Sequence, residues 1–234
     1  MENKTLSIII PVFNEKNTIE EIIAKVKAVT IKNITKEIIV IDDKSTDGTT
    51  DILKNIKDIV YICKKDNEGK GSAIKMGFDN ASGDILVIQD ADLEYDPEEY
   101  PRLISPILNN RADVVFGSRF MSGKDHVVLR FHHYTANRFL TILSNICSGI
   151  ALTDMETGYK VFSKDVYKAL AKKLISKRFG IEPEITARIA KMNIRIYEIG
   201  ISYHSRGYID GKKINWKDGF AAIWHIINYN FFAK

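Results

Sequence analysis

Apolar residues open the chain in a nearly unbroken run over 6–12, Leu-Ser-Ile-Ile-Ile-Pro-Val, the pattern of a strand covered on both faces. The period then changes. Ile19, Ile22, Ile23, Val26 and Val29 recur at helical spacing behind Thr18-Ile19-Glu20-Glu21, which reads as a capping box. Further strands are predicted at 37–41, 59–62, 84–89 and 112–116. The intervening helices start after Asp47-Gly48-Thr49, over 70–81, and at Asp96-Pro97-Glu98-Glu99. That last sequence combines a capping Asp, a first-position Pro and first-turn acids. Strands alternating with helices predict βαβ units and a parallel sheet, an α/β fold.

Beyond Gly117 the pattern loosens. A polar, basic loop is predicted over 119–133, a helix over 137–150, a short strand at 160–162 and a helix over 165–174. A helix over 182–191, an extended segment over 194–203, a basic loop over 206–215 and an amphipathic helix over 216–229 complete the reading. With no repeat, low-complexity tract or linker, residues 1–234 read as one domain.

The 34 basic against 30 acidic residues leave a net charge of only +4, without the concentrated basic face that nucleic-acid binding needs. Cys63 and Cys147 share no metal-type spacing and read as buried free thiols of a reducing compartment. Met1-Glu2-Asn3-Lys4 leads into a short apolar strand, so no secretory signal is expected. Polar residues interrupt both long apolar stretches, 139–152 and 220–232, short of the roughly 18 residues of a membrane span. The expected protein is cytoplasmic, soluble or peripheral to a membrane.

Chemistry concentrates where strands end. Asp90-Ala91-Asp92 closes the run 85–89, and residues two apart on a strand share a face. Two such carboxylates repel unless a cation joins them. Mg²⁺ takes one or two carboxylates, waters and substrate phosphate oxygens, and Glu94 continues the spacing. A solvated acidic loop is the competing explanation. Asn14-Glu15, Asp42-Asp43 and Ser118-Arg119 follow other strands, at the edge where open α/β sheets bind ligands. A nucleotide with a bound metal supplies both the donors and the charge these clusters lack. The first strand is followed by neither a Gly-x-Gly-x-x-Gly turn nor a Walker loop, which argues against dehydrogenase and P-loop chemistry.

Several motifs stand in one order. Pro11-Val12-Phe13-Asn14-Glu15, Asp42-Asp43-Lys44-Ser45-Thr46-Asp47-Gly48-Thr49 and Asn67-Glu68-Gly69-Lys70-Gly71 precede Asp90-Ala91-Asp92 and Gly117-Ser118-Arg119. Asp154-Met155-Glu156-Thr157-Gly158-Tyr159-Lys160, Phe179-Gly180-Ile181-Glu182-Pro183-Glu184, Tyr203-His204-Ser205-Arg206 and Gly211-Lys212-Lys213 follow. The set closely resembles the family 2 glycosyltransferases of the GT-A fold, in the branch related to dolichol-phosphate mannose synthase and polyprenyl-phosphate glucosyltransferases. It runs over about residues 6–220.

The resemblance implies a Rossmann-like, mostly parallel sheet flanked by helices, with a C-terminal amphipathic helix. The nucleotide-binding half would cover about 1–120 and the acceptor-side half about 121–234. It also implies inverting, metal-dependent transfer of a sugar from a nucleotide-sugar, of GDP-mannose or UDP-glucose type, to a polyprenyl or dolichyl phosphate. Pro11, Phe13 and Glu15 would line the nucleoside pocket, Asp43 would reach the base, and Lys70 would lie near the donor. Asp90, Asp92 and Glu94 would hold Mg²⁺ or Mn²⁺, although relatives often carry Gln at the last position. Arg119 would meet phosphate, and Arg206 and Lys213 would close over the diphosphate, with Lys212 beside them. Asp92, Arg119 and Asp154 form the catalytic set. Negative charge grows on the leaving β-phosphate, and a metal with Arg and Lys clamps is the matching stabiliser.

A phosphate acceptor, its second pKa about 6, needs no protein base; a saccharide or other hydroxyl acceptor needs one, and Asp154 is the candidate. The apolar helices around Phe139–Ile146 and Phe220–Phe231 fit a membrane interface, packing on the sheet, or, for the second, a dimer contact. A membrane-anchoring partner or a homodimer is therefore considered. A nucleotidyltransferase is disfavoured, because it attacks the α-phosphate and carries a Gly- and Arg-rich loop after the first strand. A non-catalytic nucleotide-sugar-binding adaptor predicts eroded acidic and basic positions, which here are intact.

Overall fold

A computed structural model describes residues 3–121, 131–204 and 216–233, with 216–218 described by backbone alone. Arg206, Lys212 and Lys213 lie outside the described residues. Strands β1 (Lys4–Val12), β2 (Ile34–Asp42), β3 (Val60–Cys63), β4 (Ile85–Ile88), β5 (Val114–Ser118), β6 (Lys160–Ser163) and β7 (Ile196–Gly200) form one sheet of order β3-β2-β1-β4-β6-β5-β7. Every pairing is parallel except those of β6, which runs antiparallel between β4 and β5. The sheet is thus mostly parallel, as the alternation of elements indicates. The intruding antiparallel strand is new.

β1 reads as continuously apolar because both its faces are covered. Leu6, Ile8, Ile10 and Val12 enter one core with α1 (Ile19–Ala28), α2 (Thr49–Asn55) and α4 (Tyr100–Leu108). Ile9, pointing the other way, enters a second core with α3 (Lys70–Asn80), α6 (Lys164–Ala171) and α7 (Ile181–Ala190). At Gly77 helix α3 lies so near the sheet that a Cβ would stand 2.2 Å from Ile9 Cγ2. Chain order reverses between β1 and β4, so the loops after these two strands flank a switch-point crevice.

Local sequence signals fare unevenly. Asp96 caps as expected: its Oδ1 accepts the Glu98 N–H at 3.0 Å, and a short turn over Pro97–Glu99 leads into α4. The capping box at Thr18 does not form. Its hydroxyl donates to the Glu15 carboxylate at 2.9 Å, leaving the helix N–H groups uncapped by it. The thiols are free but not buried: Cys63 is exposed on the edge strand β3, and Cys147 is half-buried.

The largest departure is α5 (Phe131–Ser148), which begins inside the segment expected to be a loop. It packs on α8 (Trp216–Ile227) and on α7, which also meet each other, more than on the sheet. Its amphipathicity is inverted. Thr141 and Ser144 are its buried residues, and Asn145 holds both the N–H and the carbonyl of Leu152. Phe131, Phe139, Ile142 and Ile146 face outward, Phe131 and Ile146 being 80% and 76% exposed. On α8 and the turn that follows, Phe220, Trp224 and Phe231 are exposed in the same way. No described helix is long and apolar enough to cross a membrane.

Candidate active site

The site is assembled by loops at the carboxyl edge of the sheet. After β1 and β2 the chain is sewn into one ledge. Asn14 N–H donates to Ser45 Oγ at 2.9 Å, Thr46 N–H to Asn14 Oδ1 at 2.8 Å, Glu15 N–H to Thr49 Oγ1 at 3.0 Å and Lys16 N–H to Asp47 Oδ2 at 3.1 Å. Pro11 and Glu15 are half-buried on this ledge, and the Phe13 ring stands exposed on it. Asp43 is buried beneath. Its oxygens accept Lys64 Nζ at 2.6 Å and the N–H groups of Glu68 and Gly69 at 3.1 and 2.6 Å, so this carboxylate organises the turn leading into α3.

β4 stops at Ile88, before the acidic triplet, so strand alternation no longer governs where its carboxylates point. Leu93 adopts a left-handed backbone, φ 61°, a conformation that bulky residues rarely take. Across this reversal Glu94 is buried, its Oε2 accepting the Tyr203 hydroxyl at 2.7 Å. Asp90 and Asp92 stay partly open. Among the described residues no three His, Cys, Asp or Glu side chains converge as a metal centre. Asp90 and Asp92 are the two carboxylates of this loop that could hold a hard cation such as Mg²⁺. The position attracts cations: Lys70 Nζ contacts both Asp90 oxygens, at 2.8 and 3.0 Å, and Glu182 Oε1 at 3.3 Å. Burial alone lowers the Lys70 ammonium, but Asp90 and Glu182 outweigh it and hold the pKa above the ordinary lysine value.

Gln89, fully buried at the root of this loop, uses both ends of its amide. Oε1 accepts the Tyr100 and Tyr159 hydroxyls at 2.8 and 3.0 Å, while Nε2 donates to the carbonyls of Asp90 and Tyr95. Tyr95 stacks on Tyr159 with centroids 4.9 Å apart and accepts the Gly158 N–H at 3.0 Å. Gly158 therefore lies directly under the acidic loop. A Cβ there would stand 2.3 Å from Asp90 Oδ2.

Arg119, just past β5, is gripped by Asp154 through a bidentate fork. Nε to Oδ2 and Nη2 to Oδ1 are both 2.7 Å, and the Arg119 N–H also reaches Oδ2 at 3.0 Å. The guanidinium lies over the Phe120 and Tyr203 rings at 5.6 and 5.3 Å. Asp154 is fully buried, and Glu198 fixes its loop by accepting the Thr153 and Asp154 N–H groups. Behind the fork stands a charged cluster that sequence reasoning missed. Lys160, fully buried, pairs with Glu182 and the Thr157 carbonyl. Glu156 Oε1 is buried without a hydrogen-bond partner among the described residues. Burial, then Glu182, push the Glu156 carboxyl up to about 7, against the pull of Lys160 and Arg119. Glu156 and Lys160 lie in the motif Asp154–Lys160 and Glu182 in the motif Phe179–Glu184, but neither stretch shows by itself that the three side chains meet.

Comparison with known proteins gives the family of the chain. The model of Glycosyl transferase family 2 matches residues 7–171. The chain belongs to that family and is a glycosyltransferase. A Methanococcus voltae protein named UDP-N-acetylglucosamine–dolichyl-phosphate N-acetylglucosaminyltransferase is 26% identical, over 97% of this chain and 96% of its own. The dolichol-phosphate mannosyltransferase of Pyrococcus furiosus is 27% identical over 89% of this chain, which spans 60% of that protein. The Haloferax volcanii hexosyltransferase Agl6 is 31% identical over 86% of this chain and 48% of its own length. Among solved structures, glucosyl-3-phosphoglycerate synthase of Mycobacterium tuberculosis, with Mn²⁺, UDP and phosphoglyceric acid, superposes with a TM-score of 0.72. It is 19% identical and covers 97% of this chain and 77% of that one, a likeness of fold.

Proposed function

We propose that the protein transfers a sugar from a nucleotide-sugar to a polyprenyl or dolichyl phosphate, with inversion, using Mg²⁺ or Mn²⁺. The carrying observation is the Arg119–Asp154 fork. Both Asp154 oxygens are engaged by Arg119 in a fully buried position, so this carboxylate is committed to holding a guanidinium and is poorly placed to take a proton. An acceptor that arrives ionised needs no base, and a phosphate monoester is largely ionised at neutral pH. The names of the Methanococcus and Pyrococcus relatives support the same acceptor class.

In this reading Pro11, Phe13 and Glu15 seat the nucleoside, and Asp43 shapes the turn that presents Lys70. Asp90 and Asp92 hold the cation, which when bound offsets charge on the departing diphosphate. Glu94 holds Tyr203, which carries Arg119 on its ring. Arg119, oriented by Asp154, draws the acceptor phosphate toward the sugar despite the diphosphate nearby. Arg206 and Lys213 keep their sequence-based role over the diphosphate. The acceptor oxygen attacks the anomeric carbon as the bond to the β-phosphate oxygen breaks; one in-line displacement inverts the centre.

The outward apolar stripes of α5 and α8 support peripheral attachment to a bilayer, where such an acceptor resides. The segment 131–152 contains no acidic residue, suiting an anionic lipid surface. Arg138 on α5 donates to the Thr153 carbonyl at 3.4 Å, beside Asp154, and Tyr134 packs on Phe120, beside Arg119. The helix is thereby tied to the site that must meet the lipid headgroup.

The test supplies Mn²⁺ and GDP- or UDP-sugars with a polyprenyl phosphate or the matching polyprenol, and measures nucleoside diphosphate release. Release with the phosphate only is expected. Equal release with the polyprenol, or release driven by a free saccharide, would overturn the acceptor assignment.

A further inference from the structure

Lys70 is the α3 residue that meets the acidic loop, and it is shared. It bridges Asp90, at 2.8 and 3.0 Å, and Glu182 on α7, at 3.3 Å. The two oxygens of Glu182 face different cations. Oε2 pairs with the buried Lys160, whereas Oε1 approaches Lys70 without forming an aligned hydrogen bond. Among the described residues Glu182 therefore keeps unused acceptor capacity next to an ammonium whose hydrogen bond goes to Asp90. A divalent cation binding Asp90 repels that ammonium and takes the oxygens it uses. A lysine expelled from Asp90 needs a carboxylate within reach of its existing position, since an unpaired charge at a site only 23% exposed is costly.

We infer that Glu182 is a positioning residue for metal and donor binding: it receives Lys70 when a divalent cation displaces it from Asp90, and so sets how readily the cation enters. This rests on the metal-dependent donor reading above and adds to it a hand-over between two carboxylates. Lys70 competes with the cation for Asp90. Held by Glu182, it adds a positive group at the edge of the diphosphate position instead of leaving for solvent. Lys160 keeps Glu182 in place, because Lys160 is itself fixed by backbone carbonyls at Met155 and Thr157. Sequence could not reveal the arrangement: Glu182 lies 112 positions after Lys70.

The hand-over has a signature that simple charge attraction lacks. Mn²⁺ binding is followed by the electron paramagnetic resonance signal of free Mn²⁺, alone and with UDP or GDP, for wild type, Glu182→Gln, Lys70→Met and the double variant. In the Lys70 background, Glu182→Gln should weaken Mn²⁺ by about tenfold, and in the Lys70→Met background by no more than about threefold, a coupling typical of contacting groups. Equal factors in the two backgrounds would show Glu182 acting only through its charge and would overturn the proposal. Lys70→Met, at a partly open position, guards against misfolding of the buried variant. It should tighten Mn²⁺ alone and weaken Mn²⁺ with nucleoside diphosphate; a loss of both overturns the hand-over. Failure of the wild type to bind Mn²⁺ with either nucleotide would instead overturn the metal-dependent donor reading itself.

Discussion

Replacing Glu156 by Gln should make the protein more stable at neutral pH, against the usual direction for a change inside an active-site cluster. Burial, reinforced by Glu182, raises this carboxyl to about 7 from the ordinary 4.5. The folded protein thus keeps the proton over a range in which the unfolded chain gives it up. Stability from this group is fully present below about 4.5 and is lost as pH rises through about 7, because there the unfolded state binds fewer protons. At about 1.4 kcal/mol per pH unit the total reaches about 3 kcal/mol. For a chain of this size that corresponds to roughly 6–12 °C in melting temperature. Glutamine keeps the shape and carries no charge, and Oε1 has no partner among the described residues to lose. Thermal melts of both proteins in EDTA, from pH 4.5 to 8, should nearly coincide at the acid end, diverge steadily as pH rises from about 4.5 to about 7, and keep a constant gap above that, the variant melting higher. Parallel curves across the range would refute the assignment of a raised carboxyl at Glu156.

Three other expectations follow from particular contacts. Gly158→Ala places a methyl against Asp90 Oδ2 and should weaken Mn²⁺ binding at least about tenfold, as loss of one charged contact does; unchanged Mn²⁺ titration would show the loop absorbs it. Gln89→Leu removes the acceptor of the buried Tyr100 hydroxyl and two donated bonds. Chemical denaturation should register a loss of about 2–5 kcal/mol, the range of one or two orphaned buried groups, and a smaller loss would mean that the hub is dispensable. Phe139→Glu with Ile146→Glu should abolish co-sedimentation with anionic vesicles while leaving the melting temperature within a few degrees, since both side chains already face outward; retained binding would place attachment elsewhere.

What could be read from the chain alone depended on whether chemistry and sequence lay close together. β1 was legible because seven consecutive positions share two covered faces, and Asp96 because its capping bond spans two residues. Asp90 and Asp92 stand out by their spacing, but Leu93 between them and Glu94 takes a left-handed backbone, and Glu94 accepts a hydrogen bond from Tyr203. Periodicity located the apolar stripe of α5 without saying which way it faces. Its inner face is instead held by Thr141, Ser144 and Asn145, residues that look like surface. Glu182 and Glu198 act on the site from α7 and β7. No local pattern marks a distant carboxylate as the partner of a particular lysine or loop.

The position of β6 governs the order in which this enzyme can be completed during synthesis. β4, which leads to Asp90, and β5, which leads to Arg119, have no direct pairing; residues 160–163 lie between them, bonded to both. A nascent chain halted at residue 150 would possess both strands yet lack the wedge that fixes their spacing. Only when Lys160–Ser163 has been made do the strands that lead to Asp90 and to Arg119 acquire a common frame, and Glu182, Glu198 and Tyr203, which complete the surroundings of both, come later still.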